Sequence, residues 1–265
     1  MTAVLPIDAT DELLVQCARR VGEPADRWCE PADRTGLAQS MVESVLAAYI
    51  DHTLLRADAT PADIAQLCEE AQRHGFATVC IPSSYVAQAQ SMLAGTSVGI
   101  CTVVGFPLGN VASETKGFET RQAVSQGASE IDMVIHLGWL RAGEDDRVRG
   151  DIRQVVEAAG TALVKVILET ASLSTEEKVR GALLAKQAGA RFVKTSTGFG
   201  KGGATLQDVA LLHRVVGHTM AVKASGGIRT RDDAERMILA GADRIGASAS
   251  VAIVTAQPAS AGGGY

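Results

Sequence analysis

The sequence is poor in aromatic residues, which make up 4% of its 265 positions, and it contains only 7 prolines. A folded core must therefore be built from Val, Ile, Leu and Ala, and collagen-like or proline-rich architectures are excluded. The five cysteines (Cys17, Cys29, Cys68, Cys80 and Cys101) are scattered, with no CxxC pair and no Cys/His cluster at metal-ligand spacing. Such a set argues against a disulfide framework and against a zinc site, so no metal is expected. No window approaches 18 consecutive apolar residues, and the start MTAVLPIDATDE lacks a basic region followed by an apolar stretch. Neither a membrane span nor a signal peptide is expected, and a reducing cytoplasm is the natural location. Positive charge is not in excess either: 25 Lys and Arg face 30 Asp and Glu, a formal net charge of −5. The basic footprint of a nucleic-acid binder is thus missing. Lysine itself is sparse, 7 residues against 18 arginines, so each lysine carries more information than usual.

What is present is a regular alternation. The chain is 46% hydrophobic and 21% charged, which excludes a disordered polymer. From about residue 47 it shows eight short apolar runs: 47–51, 76–81, 97–104, 130–135, 162–169, 191–196, 220–225 and 243–248. Each is rich in small or β-branched residues and too short for most helices, as expected of strands buried on both faces. Helix signals lie between them. Thr60-Pro61 places proline at a first helical position. Ser174 with Glu177, Thr205 with Asp208 and Thr230 with Asp233 each set a capping hydroxyl three residues before an acid. Gly75, Gly127, Gly189 and Gly241 supply stops separated by 52, 62 and 52 residues, a weak internal repeat of about two strand–helix units. Eight strands alternating with helices predict an α/β fold, a (β/α)8 TIM barrel over 47–254. An open doubly wound sheet is the competitor, weakened because no GxGxxG follows the first run. Residues 1–46 fall outside the pattern and are expected to form a helical N-terminal extension, covering the lower barrel mouth or a neighbouring subunit. Residues 255–265 are expected to be a flexible C-terminal tail.

Chemistry is sought where charge interrupts the apolar runs. Asp132, Lys165, Lys194 and Lys223 do so, and three of the seven lysines fall on consecutive strands five, six and seven. Removing an ammonium from water demands pairing or deprotonation. One reading is a charge network that fills the barrel, with Asp132 as the counter-ion. The functional reading is a lysine whose proton is loosened by a neighbouring cation, toward a value of roughly 7–8. A neutral amine attacks a carbonyl to form a Schiff base, and the iminium then acts as an electron sink for cleaving or forming a C–C bond. A second constellation lies in the segments STGFGKGG (196–203), SGGI (225–228) and GASAS (246–250), after strands six, seven and eight. Glycine turns at those places let backbone N–H groups approach a phosphate, and a short helix starting near Ser248 would add its dipole.

Taken together, the strings IDHTLL (50–55), VCIPSSYV (79–86), TVVGFPLG (102–109), GASEIDMVI (127–135), VKVILET (164–170), FVKTSTGFG (192–200), VKASGGIRT (222–230) and RIGAS (244–248) resemble the deoxyribose-phosphate aldolase family over about 45–250. The resemblance implies a class I aldolase that reversibly cleaves 2-deoxy-D-ribose 5-phosphate to D-glyceraldehyde 3-phosphate and acetaldehyde. It implies Lys194 as the Schiff-base nucleophile, with Lys223 and Asp132 in proton transfer through a water. It places phosphate contacts on Gly198, Gly226, Gly227 and Ser248. Lys165 would line the site for electrostatics, and Asp51, Thr53 and Cys80 would face the same cavity. Tyr265, at the end of the tail, would assist proton transfer at the enamine carbon. No cofactor is implied; the partners are small sugar-phosphate and aldehyde substrates, and a homo-oligomer, dimer or tetramer, is expected.

Two departures stand out. Ser248 is followed by Ala249, where the family often has a second serine, so one phosphate contact is lost unless Ser250 replaces it. His136 occupies a position commonly Asn or Asp, as either a second acid/base or a polar rim residue. Another Schiff-base barrel aldolase or transaldolase, or a non-catalytic sugar-phosphate binder, remains a competing reading.

Overall fold

A computed structural model describes residues 44–256. The eight strands are β1 (Ile50–Thr53), β2 (Thr78–Ile81), β3 (Gly99–Val104), β4 (Glu130–Val134), β5 (Leu163–Ile167), β6 (Phe192–Lys194), β7 (Ala221–Ser225) and β8 (Arg244–Ala247). All pair in parallel, each with its sequence neighbour, and β1 closes on β8 through Ile50↔Ile245, Asp51↔Gly246 and His52↔Ala247. The fold is therefore a closed (β/α)8 barrel, and the open-sheet alternative is excluded.

The helices are α1 (Pro61–His74), α2 (Val86–Leu93), α3 (Ser113–Ser125), α4 (Leu137–Arg141), α5 (Asp145–Ala159), α6 (Thr175–Gln187), α7 (Leu206–Val216), α8 (Arg231–Leu239) and α9 (Ser250–Thr255). Their starts follow local chemistry. Thr60, Ser174 and Thr230 each close a reciprocal capping box with the acid three residues on, and Thr205 accepts from the Asp208 backbone N–H. Each such cap stabilises by about 1 kcal/mol. Gly75, Gly127, Gly189 and Gly241 all have positive φ, the turn that releases the chain from a helix towards the next strand.

One boundary differs from expectation. The run 47–51 was expected to be the first strand, but residues 44–47 are helical and β1 is Ile50–Thr53. Three of its four residues are polar, so a hydrophobic window reads it poorly, yet all four are buried. The expectations for 1–43 and for the tail from 257 onward lie outside the described residues.

Strand alternation sorts the side chains into two shells. Ile131, Met133, Val164, Val166, Val222, Ala224 and Ile245 face outward into the apolar layer beneath the helices. Residues two apart on the other face point into the barrel: Asp51 and Thr53, Glu130 and Asp132, Lys165, Lys223 and Ser225, and Arg244. A barrel interior is ordinarily packed with branched aliphatics. Here the buried apolar cluster of the interior is small, Leu55, Cys80, Cys101 and Val103 with Phe106 against it, and much of the remaining lining is polar or charged.

Candidate active site

Three lysines from three strands converge on one aspartate. Asp132 Oδ2 accepts from Lys194 Nζ and Lys223 Nζ, both at 2.8 Å, and Asp132 Oδ1 accepts from Lys165 Nζ at 2.8 Å and Cys101 Sγ at 3.1 Å. Lys194 and Lys223 are direct partners across β6 and β7. Lys165 is not level with them: it pairs with Phe192, two residues earlier along the ladder than Lys194, and with Asp132 on its other side. All four side chains are buried, with Lys194 at 2% exposure the most accessible of them. Space for Lys223 comes from Gly246, where a Cβ would lie 3.0 Å from the lysine's Cε.

A second tier of charge lies beside the first. Asp51 Oδ2 accepts from Lys223 and Asp51 Oδ1 pairs with Arg244 Nη1 at 2.5 Å. Glu130 pairs with Lys165 at 2.5 Å and with Arg244 at 3.2 Å. Four cations thus face three carboxylates inside the barrel. Burial opposes the charge on Lys165 and Lys223, but Asp132 foremost, with Asp51 among the further contributors, overcomes it and holds both amines well above the ordinary lysine value. Crowding among lysines, expected to loosen their protons, is outweighed at these two by the shared carboxylates. Burial likewise opposes ionisation of Asp132, yet the ammoniums of Lys165, Lys194 and Lys223 hold it well below the usual carboxylate range. Asp51 is lowered against burial by Lys223, Lys165 and Arg244.

Cys80 and Thr53 are buried and paired across β1 and β2, and the Thr53 hydroxyl donates to the Asp51 carbonyl at 2.9 Å. A hydrogen bond with Cys101 lowers the Cys80 thiol against burial, while burial pushes Cys101 up. Spacing along the chain showed no metal cluster, but folding brings ligand atoms of Cys80, Cys101 and Asp132, and of Asp51, Cys101 and Glu130, within 4.8 Å. Both groups are already served by ammonium or guanidinium donors. A metal ion would have to displace them or add charge to an interior where cations outnumber anions, so the donor set does not fit one.

The glycine turns surround the strand ends. Gly198, Gly226 and Gly227 have φ of 90°, 88° and 81°. The β6 and β7 loops touch backbone to backbone: a Cβ on Gly203 would stand 2.1 Å from the Gly226 carbonyl oxygen, and the Ala204 N–H donates to the Ser225 and Gly226 carbonyls. Ser248 is half-buried just after β8. The short helix starts at Ser250, two residues beyond Ser248, and the Ser250 hydroxyl is buried and donates to the Ala247 carbonyl at 2.8 Å. Ser250 therefore does not replace the serine lacking at 249. His136 caps α4 by accepting from the Trp139 N–H through Nδ1, and its ring stacks on Trp139 at 3.8 Å. Burial and then Lys116 push its pKa down. That geometry is a rim and capping role. Tyr265 lies outside the described residues.

Sequence reasoning missed Glu130, Arg244, Cys101 and Glu169. Glu130 lies two residues before Asp132 and so on the same strand face, a usable signal. Arg244 opens its strand and resembles a solvated flank, and Cys101 carries no charge. Glu169 follows β5 and, with Ala256, is one of two non-glycine residues at positive φ among those described.

Comparison with known proteins agrees with this architecture. Geobacillus sp. (strain WCH70) has a curated protein named deoxyribose-phosphate aldolase, 56% identical over 219 residues, covering 82% of this chain and 98% of the relative. A solved structure of deoxyribose phosphate aldolase from Aeropyrum pernix, described as tetrameric, superposes with a TM-score of 0.76 at 34% identity, covering 85% of this chain and 98% of that one. A Coccidioides immitis structure provisionally given the same activity has a TM-score of 0.85 at 41% identity, covering 96% of this chain and 99% of its own. The family model described as DeoC/LacD family aldolase matches residues 45–256, and the chain belongs to that family.

Proposed function

We propose that the chain is a Schiff-base aldolase that reversibly cleaves 2-deoxy-D-ribose 5-phosphate to D-glyceraldehyde 3-phosphate and acetaldehyde, with the barrel 47–254 as its catalytic unit. The observation that carries this reading is the single carboxylate oxygen, Asp132 Oδ2, shared by Lys194 and Lys223. Lys194 is the nucleophile. It contacts one carboxylate, whereas Lys165 contacts three and Lys223 two, so turning the Lys194 nitrogen into an imine disturbs the network least. It is also the most accessible of the three.

In the cleavage direction, the Lys194 amine adds to C1 of the open-chain aldehyde and water leaves, giving an iminium. Asp132, through a water held by the Lys223 ammonium, takes the proton from the C3 hydroxyl as the C2–C3 bond breaks. Its electron pair moves onto C2 and the iminium becomes an enamine. Glyceraldehyde 3-phosphate departs, C2 is protonated with Tyr265 assisting, and water releases acetaldehyde and the free amine. Lys165, held by Glu130 and Asp132, keeps the carboxylate in place, and Asp51 does the same for Lys223. Thr53 and Cys80 complete the wall. The glycine turns at Gly198, Gly226 and Gly227, together with Ser248, hold the 5-phosphate through backbone N–H groups.

We further propose a homo-oligomer, dimer or tetramer, acting in the cytoplasm. The tetrameric Aeropyrum relative supports the first part. The second is supported by Cys68, Cys80 and Cys101, none of them in a disulfide, and by the lack of any helix among the described residues long and apolar enough to cross a membrane.

The test is borohydride trapping in the presence of acetaldehyde or 2-deoxyribose 5-phosphate, with the adduct mapped by mass spectrometry. Label on Lys194 from both compounds is expected. Label elsewhere or nowhere sinks the mechanism. Trapping only with longer sugar phosphates would favour a different Schiff-base aldolase or transaldolase.

A further inference from the structure

The backbone of Glu169 takes φ 56° and ψ 59°, a left-handed conformation that a residue with a Cβ adopts at a cost. It does so immediately beyond β5, where the ladder to β6 breaks step. The Leu168 N–H donates to the Lys194 carbonyl and the Thr170 N–H to the Thr195 carbonyl. Two residues of advance on one side therefore match one on the other, and Glu169 is the extra residue. Such an irregularity re-aims a side chain, and these features recur beside functional sites.

The side chain is aimed at the loop after β6. Glu169 is buried, and its Oε2 accepts from the Thr197 hydroxyl at 2.5 Å and from the Thr197 N–H at 3.2 Å. The same threonine oxygen accepts from the Phe199 N–H at 3.1 Å, bending the chain around Gly198. Gly200 closes the other side: a Cβ there would stand 2.7 Å from Oε1 of Glu169. Oε1 itself is buried without a hydrogen-bond partner. A side chain kept for stability alone would not combine a left-handed backbone with an unpartnered buried oxygen.

What the contact holds is the shape of 196–203. That segment carries Gly198 and meets the β7 turn at Gly203 against Gly226 and through the Ser225 hydroxyl to the Ser196 carbonyl at 2.8 Å. Glu169 touches none of the lysines. We infer that Glu169 is a positioning residue that sets the β6 loop, through Thr197, so that the backbone N–H groups around Gly198 and Gly226 converge on the substrate's phosphate. It thereby determines preference for a phosphorylated over an unphosphorylated sugar. The inference rests on the phosphate site in the proposed function.

The experiment measures kcat and KM on 2-deoxyribose 5-phosphate and on 2-deoxyribose for the full chain and for Glu169→Ala, Glu169→Gly, Glu169→Gln and Thr197→Val. In Glu169→Ala, Glu169→Gly and Thr197→Val the ratio of kcat/KM for phosphorylated over unphosphorylated sugar falls at least tenfold, mainly through KM for the phosphorylated one. Glu169→Gln, which still offers an oxygen to Thr197, keeps most of the ratio. Glu169→Gly also relieves the left-handed backbone, so it melts higher than Glu169→Ala while losing the preference to the same extent, which a merely structural residue would not do. An unchanged ratio, or equal losses on both sugars, overturns the inference. If the unmodified chain itself shows no preference for the phosphorylated sugar, the phosphate site falls, and this inference with it. If the unmodified chain shows the preference and the Glu169 variants retain it, only the positioning role falls.

Discussion

Among the described residues, two places bury both a lysine and its aspartate almost completely. Between α3 and α5, Lys116 Nζ donates to Asp151 Oδ2 at 2.6 Å and to the Val134 carbonyl at 3.0 Å, and Ser113 donates to Asp151 Oδ1 at 2.7 Å. Both ionic side chains there are fully buried. Inside the barrel, Asp132 is equally buried but serves three lysines and a thiol. The first site is a closed one-to-one pair, with each charge answered by its own partners. The second shares too few carboxylates among too many cations, next to the strand ends where glycine turns gather. Buried charge is common to both; unequal sharing next to the glycine turns is what sets the proposed site apart.

The largest expected break in that comparison is Lys194→Ala. It should lower kcat/KM on the order of 10⁴-fold or more and abolish borohydride trapping, with the fold retained as judged by circular dichroism. Lys116→Met should do the opposite. It strands Asp151 and costs about 3–5 kcal/mol in urea unfolding, while the folded fraction keeps the native kcat. Adding Asp151→Leu to it should recover most of that loss, because replacing both partners removes the uncompensated charge.

Titration should separate the two sites by the sign of a slope. Lys165 and Lys223 sit above the ordinary lysine value, so their contribution to stability is complete below about 10.4 and lost as pH rises beyond it through their folded values. Burial lowers Lys116 despite Asp151, so its contribution runs the other way and rises with pH up to about 10.4. Thermal midpoints measured across that range should fall more steeply in Lys116→Met than in the native chain. At the acid end, Asp51 and Asp132 are held low, so stability present above about 3.9 should drain away as pH drops below it. Smallest is Ser113→Ala, which removes one hydrogen bond to Asp151 and should cost about 1–3 kcal/mol without changing KM.

Much of the barrel was legible because a strand buried on both faces must be an apolar run, and seven of the eight runs fall on observed strands with edges shifted by a residue or two. The run at 47–51 overlaps β1 by only two residues, because Asp51, His52 and Thr53 are polar yet buried, and burial of a polar strand is decided by partners far away in the chain. His52, for instance, is answered by Glu70 on α1 at 2.8 Å. In the site, Asp132, Lys165, Lys194 and Lys223 were legible as charges inside apolar runs. Glu130 could have been found from sharing the strand face of Asp132, whereas Arg244 could not, since a charge at the start of a run reads as a solvated flank until the barrel closes over it. Glu169 left no trace in composition or period; its backbone conformation exists only once the β6 loop is in place.

By itself the sequence determined the alternation of strand and helix, the helix caps and the sparse lysines within apolar runs, because these depend on residues close together in the chain. Register and closure were decided only in three dimensions. They brought Lys194 and Lys223 side by side, placed Lys165 earlier along the ladder, set Asp51 of β1 against Lys223 and Arg244, and joined four cations to three carboxylates. The physical reason is that strand pairing costs chain entropy across tens of residues and is repaid only when the whole ring closes. Which charges then share which partners is a property of the ring and of no single segment.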